Sequence, residues 1–364
     1  RRRHTRFRNV TGVQTCALPI WIEDGKRTNH LPTGKVYEEA VQHCTRAHLS
    51  IPDSVTHIVA HGAHALRFTQ NDPAISEFQW RGFEAPAPFV DRPVFSTLHT
   101  AEVIRNPSDR IVARMDWKKV GQWVRGEWPI PLSDVRQIVL TETAQLNVFT
   151  SAHRAKWIAV DTEYNPETLQ LTMIGFSFFA DSAPSALVAV QLDWVNPNVP
   201  KSVRASFIRR FVELCKTVPV VFQNATADVP VIREAFGLDW DDYLQIEDTM
   251  QAHSVLWSEM SRGADEFDEK AKHKVAGHDL GFLASIYGKY HKMKHLSGVN
   301  LLQYHLGDLL ETAWVWVALW RELQSDLACY DVYVNQNMKL LPILEQAHRD
   351  GIRVDIDKAR TLHA

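Results

Sequence analysis

Two acidic residues one position apart, Asp161 and Glu163, follow a short apolar run in residues 157–160. Such a run predicts a buried strand. Side chains two positions apart on a strand point to the same side, so both carboxylates should face one point just beyond the strand. Two anions so close repel each other unless a cation lies between them, and ligands made only of oxygen suit Mg²⁺ or Mn²⁺. An isolated Asp-x-Glu is more often a solvated strand end, so a metal site requires further carboxylates.

Two later segments supply those carboxylates. Asp228 lies four residues after Asn224 at the start of a predicted helix, and Asp308 interrupts a long apolar stretch, four residues after Tyr304. Positions i and i+4 share one face of a helix, so Tyr304 and Asp308 are expected to act at one place. A lone Asp in an apolar helix is costly to bury unless it is paired or bound to a metal. We therefore expect the four carboxylates to share cations.

Alternating strands and helices surround these residues. The strands at residues 157–160, 172–179 and 186–190 suggest an antiparallel meander with turns between them. Strands are predicted at residues 138–140, 157–160, 172–179, 186–190, 218–222 and 245–249. Helices are predicted at residues 142–149, 202–216, 229–236, 250–257, 279–287 and 301–319.

The order Asp-x-Glu, Asn-x3-Asp and Tyr-x3-Asp resembles the three motifs of the DnaQ-like 3′–5′ exonuclease family, in its tyrosine-bearing branch. The resemblance covers about residues 135–325. It implies an α/β, ribonuclease H-like domain with a mixed sheet flanked by helices. It also implies that Asp161, Glu163, Asp228 and Asp308 bind two Mg²⁺ or Mn²⁺ ions, and that Tyr304 orients the attacking water.

Further residues are assigned to substrate binding on the same resemblance. Thr162 and Asn224 lie inside the first two motifs, and Asn224 is expected to contact the nucleic-acid backbone or sugar. Lys292 and Lys294 belong to a basic cluster that precedes the third motif. This cluster either holds phosphates of the strand or is an ordinary solvated face.

The region before the exonuclease motifs shows a strand–turn–helix pattern, which predicts a parallel α/β layer. A strand over residues 56–60 runs into His61-Gly62-Ala63, and a second strand over residues 94–98 ends at His99, with Arg105 beyond it. This pattern resembles the C-terminal half of the uracil-DNA glycosylase superfamily, which implies a partial αβα domain. The family places a catalytic His at such a strand end, with an Arg further on. Thr100 replaces the Pro of the family motif, so His99 either contacts a flipped base or belongs to a vestigial site.

The two ends of the chain differ from its middle. Residues 1–20 hold five Arg and no acid and read as a translated sequencing adapter, so we exclude them from the fold. The stretch from Val332 to Asp355 resembles the opening of the polymerase part of family A DNA polymerases. We expect a fragment of such a polymerase without its nucleotide-adding site. The predicted division is 1–20 adapter-derived, 21–128 glycosylase-like, 129–325 exonuclease and 326–364 the start of the polymerase domain.

Composition limits the partners and the compartment. Without residues 1–20 the formal net charge falls from −3 to −8, so nucleic-acid binding must depend on local patches and metals. No apolar run approaches the roughly 20 residues that span a bilayer, so no membrane partner is expected. Three widely spaced cysteines (Cys44, Cys215 and Cys329) without a CxxC pair favour a reducing compartment, here the cytoplasm of a bacterium or a phage-infected host.

The sequence therefore predicts a metal-dependent 3′–5′ exonuclease that acts on single-stranded DNA 3′ ends and primer-template DNA. One alternative is a ribonuclease D-like RNA 3′ exonuclease, which has the same catalytic residues. Others are a non-catalytic DNA-binding module and an active uracil-DNA glycosylase. The oligomeric state does not follow from the sequence.

Overall fold

The computed structural model describes residues 21–23, 26–28, 34–86, 89–105, 109–180, 187–243, 245–258, 277–351, 358 and 360. The described residues form two compact units, the first up to Trp128 and the second from Pro129. The adapter-like residues 1–20 lie outside the described residues. So do residues 352–357, which hold most of the Gly-Ile-Arg-Val-Asp part of the polymerase-like pattern.

The first unit contains four short strands and five helices among its described residues. The strands are β1 (Trp21–Glu23), β2 (Lys26–Thr28), β3 (Ile58–His61) and β4 (Val94–Thr97). The helices are α1 (Gly34–His48), α2 (Gly62–Gln70), α3 (Glu77–Trp80), α4 (Thr100–Arg105) and α5 (Asp109–Val124). β3 and β4 pair in parallel, as the strand–turn–helix pattern predicts.

A buried ion pair in the first unit joins α5 to Arg81, the residue that follows α3. Asp116 on α5 binds Arg81 at 2.5 Å and also accepts a hydrogen bond from the backbone nitrogen of Leu98 at 3.3 Å. Burial raises the pKa of Asp116, although the positive charge of Arg81 opposes that rise. The carboxylate therefore links α5 to the residue that directly follows β4.

The second unit is built on one six-stranded mixed sheet. Its strands are β5 (Arg136–Val139), β6 (Ile158–Tyr164), β7 (Leu171–Phe179), β8 (Leu187–Asp193), β9 (Val220–Phe222) and β10 (Ile246–Asp248). Their order across the sheet is β10-β9-β6-β7-β8-β5. β7 is antiparallel to both its neighbours, and the other adjacent pairs are parallel. The mixed sheet flanked by helices confirms the predicted α/β class.

Helices cover both faces of this sheet. They are α6 (Val148–Ala152), α7 (Lys201–Cys215), α8 (Ala225–Phe236), α9 (Thr249–Leu256), α10 (Leu280–Tyr287), α11 (Leu301–Ser325), α12 (Leu327–Val332) and α13 (Met338–Asp350). Of the helices within the described ranges, none is both long and apolar enough to cross a membrane.

The strand alternation of β7 assigns its residues to two different cores. Phe176 points to one face, where it packs against Phe211 of the amphipathic helix α7. Gly175 and Ser177 point to the other face, where the Ser177 hydroxyl donates a hydrogen bond to the carbonyl of Leu309 on α11 at 2.8 Å. The period of two thus places Phe176 and Phe178 on one face and the small residues Gly175 and Ser177 on the other, where α11 lies close to the strand.

Several elements differ in extent from the sequence prediction; for example, α8 begins at Ala225 rather than at residue 229, and α11 continues to Ser325. Two further differences have a clear local cause. The helix predicted at 142–149 is a 3₁₀ turn, Thr143–Asn147, followed by α6, because Gln145 and Glu142 form a capping box that starts a tight turn. The strand predicted to end at residue 160 continues to Tyr164, because β7 remains paired with it.

Candidate active site

The first two acids lie on β6 where that strand has a neighbour on one side only. Parallel pairing with β9 ends at Ala159, whereas antiparallel pairing with β7 continues, with Asp161 opposite Gly175 and Glu163 opposite Met173. Beyond Ala159 the strand is therefore paired with β7 on one side and has no strand neighbour among the described residues on the other. Both carboxylates belong to this part of the strand.

Three carboxylates converge there. One oxygen each of Asp161, Glu163 and Asp308 lies within 4.8 Å of the others, with Asp308 supplied by α11. The Oδ2 atom of Asp161 is buried and has no hydrogen-bond partner among the described residues. A buried, unpartnered carboxylate oxygen beside two other carboxylates has the donor chemistry that Mg²⁺ and Mn²⁺ prefer. These residues fit a divalent metal site.

Asp228 reaches the same region from α8 but is held by a different partner. Its Oδ1 atom accepts hydrogen bonds from the backbone nitrogen of Thr162 at 3.0 Å and from the Thr162 hydroxyl at 2.6 Å. Its charge contributes to the raised pKa values of Asp161 and Glu163, so it is electrostatically part of the cluster. Thr162, predicted to bind substrate, is buried and holds Asp228 through these two hydrogen bonds.

Burial raises the pKa of every carboxylate in the cluster, and repulsion from other carboxylates adds to that rise for Asp161, Glu163 and Asp228. Burial, with the charges of Asp308 and Asp228, raises the pKa of Glu163 to about 8. Burial raises the pKa of Asp228 to about 7, against the two hydrogen bonds from Thr162. For Asp161, burial and the neighbouring carboxylates raise the pKa well above its usual value. A cation in the site would relieve this repulsion.

Tyr304 contacts the carboxylate one turn further along α11. Burial raises the pKa of Asp308 to about 6, while the hydrogen bond from Tyr304 and the positive charge of Lys294 oppose that rise. Burial and the Asp308 charge raise the pKa of Tyr304, so its hydroxyl keeps its proton. Tyr304 and Asp308 are therefore hydrogen-bonded on one face of α11.

Asn224 and Asp248 set the start of α8. Asn224 adopts a left-handed backbone conformation (φ 65°, ψ 66°), and its side-chain oxygen accepts a hydrogen bond from Thr226 at 2.7 Å. The carboxylate of Asp248 accepts hydrogen bonds from the backbone nitrogens of Ala225 at 2.6 Å and Gln251 at 3.0 Å. Asp248 thus joins β10 to the first turns of α8 and α9 and orients the helix that carries Asp228.

The two lysines assigned to substrate binding lie just before α11. Lys294 begins a 3₁₀ turn, Lys294–Leu296, is exposed, and acts electrostatically on Asp308. Lys292 is half-buried, and this burial, with the charge of Lys294, lowers its pKa to about 8. Lys294 is therefore the better placed of the two to meet a phosphate near the carboxylates.

One residue of this site escaped the sequence-based prediction. His305, next to Tyr304, is fully buried, and its Nε2 atom lies 3.1 Å from the carbonyl oxygen of Asp161 and 3.6 Å from the Oδ2 atom of Asp161. Burial lowers the pKa of His305 to about 4, against the effect of the hydrogen bond to Asp161. The signal available in the sequence was Gln191, a polar residue inside an apolar strand, which contacts the same histidine.

In the first unit, His99 is exposed just after β4, and its Nδ1 atom accepts a hydrogen bond from the backbone nitrogen of Ala101 at 3.1 Å. Gly62 has a φ of +84°, and a Cβ on it would lie 2.7 Å from the Cβ of His99, so only glycine fits this approach. Arg105 is the last residue of α4, and its side chain lies outside the described part of the structure.

No protein-family model and no curated protein matches the chain. Among solved structures, RNase D of Escherichia coli, an exoribonuclease involved in structured RNA processing, is 16% identical, with a TM-score of 0.38 over 58% of this chain and 51% of its own. The catalytic core of RRP6 from Trypanosoma brucei is 15% identical, with a TM-score of 0.40 over 59% and 54%. NrnC of Brucella melitensis, solved with bound Mg²⁺, is 14% identical, with a TM-score of 0.33 over 60% and 93%.

The chain thus spans about half the length of the first two of these structures. All three similarities are distant, so the function of this chain has to be judged from its own residues.

Proposed function

We propose that the second unit is a metal-dependent 3′–5′ exonuclease that hydrolyses the terminal phosphodiester of a single-stranded nucleic acid and releases nucleoside 5′-monophosphates. The observation that carries this proposal is the convergence of Asp161, Glu163 and Asp308 within 4.8 Å, with Asp228 held beside them. The set combines carboxylates from one strand and two helices with a tyrosine that faces them. Such a set suits phosphoryl transfer, in which catalysis depends mainly on positioning and on charge stabilisation.

The carboxylates Asp161, Glu163, Asp228 and Asp308 would hold two divalent ions. Bound there, such ions would supply the positive charge that activates a water and stabilises the leaving 3′-oxygen. Four clustered anions would repel a phosphodiester, so metal binding has to precede substrate binding.

The chain's own residues position the reactants. The Tyr304 hydroxyl keeps its proton and donates it to Asp308, so it orients the attacking water, together with Glu163, by accepting a hydrogen bond from that water. Lys294 offers a positive charge to a phosphate on the side of Asp308. Asn224 stands beside Asp228 at the start of α8, where it can contact the sugar or backbone of the strand.

We propose DNA as the substrate, with a proofreading role in a family A polymerase. This choice of DNA as the substrate depends on the polymerase-like sequence pattern between Val332 and Asp355. RNA is the competing substrate, because the reaction needs only a phosphodiester and a free 3′ end. DNA and RNA strands of the same sequence, compared under one metal concentration, separate the two.

The direct test substitutes both acids of β6. The double variant Asp161→Ala with Glu163→Ala should release no nucleotide from a 3′-labelled oligonucleotide in Mg²⁺, whereas the unsubstituted chain should release it steadily. A double variant that cuts as fast as the parent overturns the site. A chain that binds the oligonucleotide but never cuts it would instead be a binding module.

Uracil excision by the first unit is a separate candidate activity. It rests on His99, exposed at the end of β4 in close contact with Gly62. An active glycosylase would produce abasic sites in a uracil-containing oligonucleotide, and His99→Ala would abolish them. If no abasic sites form, the first unit would have a DNA-binding or packing role instead.

A further inference from the structure

A buried histidine lies directly against the first metal-binding residue. The Nε2 atom of His305 lies 3.1 Å from the carbonyl oxygen of Asp161, which is hydrogen-bonding distance. The same atom is 3.6 Å from Oδ2 of Asp161, which is too long for a hydrogen bond. The Oδ2 atom therefore stays available to a metal, while the hydrogen bond from His305 holds the backbone of Asp161.

A hydrogen-bond chain defines which nitrogen of His305 carries the proton. The carbonyl oxygen of Leu302 can only accept, so the Gln191 atom 2.9 Å from it must be the amide nitrogen. The same nitrogen lies 3.0 Å from Nδ1 of His305, so Nδ1 accepts. The proton then resides on Nε2 and points at Asp161. The other end of the Gln191 amide accepts a hydrogen bond from Gln137 at 2.7 Å, which holds the amide in this orientation.

The sheet leaves room for this arrangement at one glycine. A Cβ on Gly175, which pairs with Asp161 across β6 and β7, would lie 2.6 Å from the Cε1 atom of His305. Any larger residue would displace the imidazole. The histidine, the glycine and the acid therefore form one packed group, and the histidine is the only one of the three that can donate a hydrogen bond through its side chain.

We propose that His305 is a positioning residue that fixes the main chain of Asp161, and with it the direction of the carboxylate, through the chain Gln137–Gln191–His305–Asp161. The inference rests on the proposed function, since it assigns Asp161 to the metal. Partners that orient metal ligands from outside typically change metal affinity by about 10- to 100-fold when they are removed. His305 has this role for Asp161.

The test measures Mn²⁺ binding to the full chain by calorimetry without nucleic acid. His305→Leu fills the volume but cannot donate a hydrogen bond, and it should weaken Mn²⁺ binding by about 10- to 100-fold. His305→Gln carries an amide near the position of Nε2 and should restore most of the affinity. Gln191→Met leaves the histidine in place without a defined tautomer and should weaken binding less than His305→Leu does.

Ser177→Ala is the matched control. It removes one buried hydrogen bond between the same sheet and the same helix, at Leu309, without touching Asp161. It should lower the melting temperature and leave Mn²⁺ affinity unchanged. Equal Mn²⁺ affinity in His305→Leu and the parent overturns the proposal. So does equal weakening in His305→Leu, His305→Gln and Ser177→Ala, because packing alone would then explain it.

The outcomes also separate this inference from the nuclease proposal. If His305→Leu fails to fold, an unchanged Mn²⁺ affinity in Gln191→Met overturns the inference. A parent chain that binds Mn²⁺ but releases no nucleotide refutes the nuclease, while the affinity series still decides the role of His305. A parent chain that binds no Mn²⁺ overturns both.

Discussion

Asp161 is buried among three other carboxylates, and the negative charge of each of them raises its pKa. Its neighbours Glu163, Asp228 and Asp308 have pKa values raised from their usual values to about 8, 7 and 6. An acid whose folded pKa lies above its unfolded pKa stabilises the fold below the unfolded value. It loses that contribution as the pH rises through the folded value. The contribution of this cluster to the stability of the metal-free protein therefore falls toward alkaline pH.

This cluster predicts a metal effect that grows with pH. In a chelator, the melting temperature should fall between about pH 6.5 and about pH 8.5, because the carboxyl groups are forced to ionise next to one another. Mg²⁺ binds the ionised carboxylates, so its stabilising shift should be larger at the higher pH. Thermal unfolding followed by circular dichroism measures both.

The pH window avoids the buried histidines. Burial lowers the pKa of His305 to about 4 and of His253 to about 3, so their contribution is lost only as the pH falls below about 6.5. Glu163→Gln is the control and should reduce the alkaline loss in chelator without abolishing it, because the pKa of Asp228 stays raised by burial. A melting temperature that rises toward alkaline pH in chelator, or an Mg²⁺ shift equal at both pH values, contradicts the cluster.

Some structural elements could be predicted from the sequence and others could not. The strand β6, the helix α11 and the order of the motifs follow from apolar periodicity and from the spacing of acids, which are local properties of the chain. The extension of β6 to Tyr164 depends on its pairing with β7. The hydrogen bonds between Thr162 and Asp228 and between His305 and Asp161 join residues far apart in sequence, so no local sequence pattern predicts them.

The close approach of α11 to β7 predicts that Gly175 cannot be replaced by a larger residue without loss of stability. In Gly175→Ala the new Cβ would meet His305 at 2.6 Å, the carbonyl oxygen of Val190 at 2.6 Å and Leu309 at 2.8 Å. Overpacking of this kind typically costs about 1–3 kcal/mol. Because the displaced helix carries Asp308, nuclease activity should fall as well. Urea unfolding and a 3′-end release assay measure the two effects.

Gly298→Ala is the matched control, because a Cβ there meets nothing within 4 Å and the backbone is not in the left-handed region. It should leave the stability within about 0.5 kcal/mol of the parent. If Gly175→Ala behaves like Gly298→Ala, the helix does not depend on that contact and the account of the α11 interface is wrong.

For the whole molecule, all proposed exonuclease residues belong to the second unit. The last helices of this unit are tied to it by polar contacts. Tyr333 donates to Glu247 at 2.6 Å and accepts from the backbone nitrogen of Asp248 at 3.0 Å. Glu345 on α13 binds Arg233 of α8. The segment after Val332, which the sequence analysis assigns to the start of a polymerase domain, thus contacts β10 through Tyr333 and α8 through Glu345.

A fragment of residues 129–351 should therefore fold cooperatively and keep the nuclease activity of the chain. A fragment of residues 129–325 lacks Tyr333 and leaves the backbone nitrogen of Asp248 unpaired, which costs about 1–3 kcal/mol for a buried group. It should melt at a lower temperature and show weaker activity. Equal melting temperatures for the two fragments would show that α12 and α13 contribute nothing to this unit.

The most direct test of the proposed nuclease follows the products of a 5′-labelled single strand incubated with the full chain and Mg²⁺. We expect a ladder that shortens one nucleotide at a time from the 3′ end, with nucleoside 5′-monophosphates as the released product. The ladder should disappear with chelator and in Asp161→Asn. An intact strand, cleavage at internal positions, or a ladder that persists in Asp161→Asn would contradict the account.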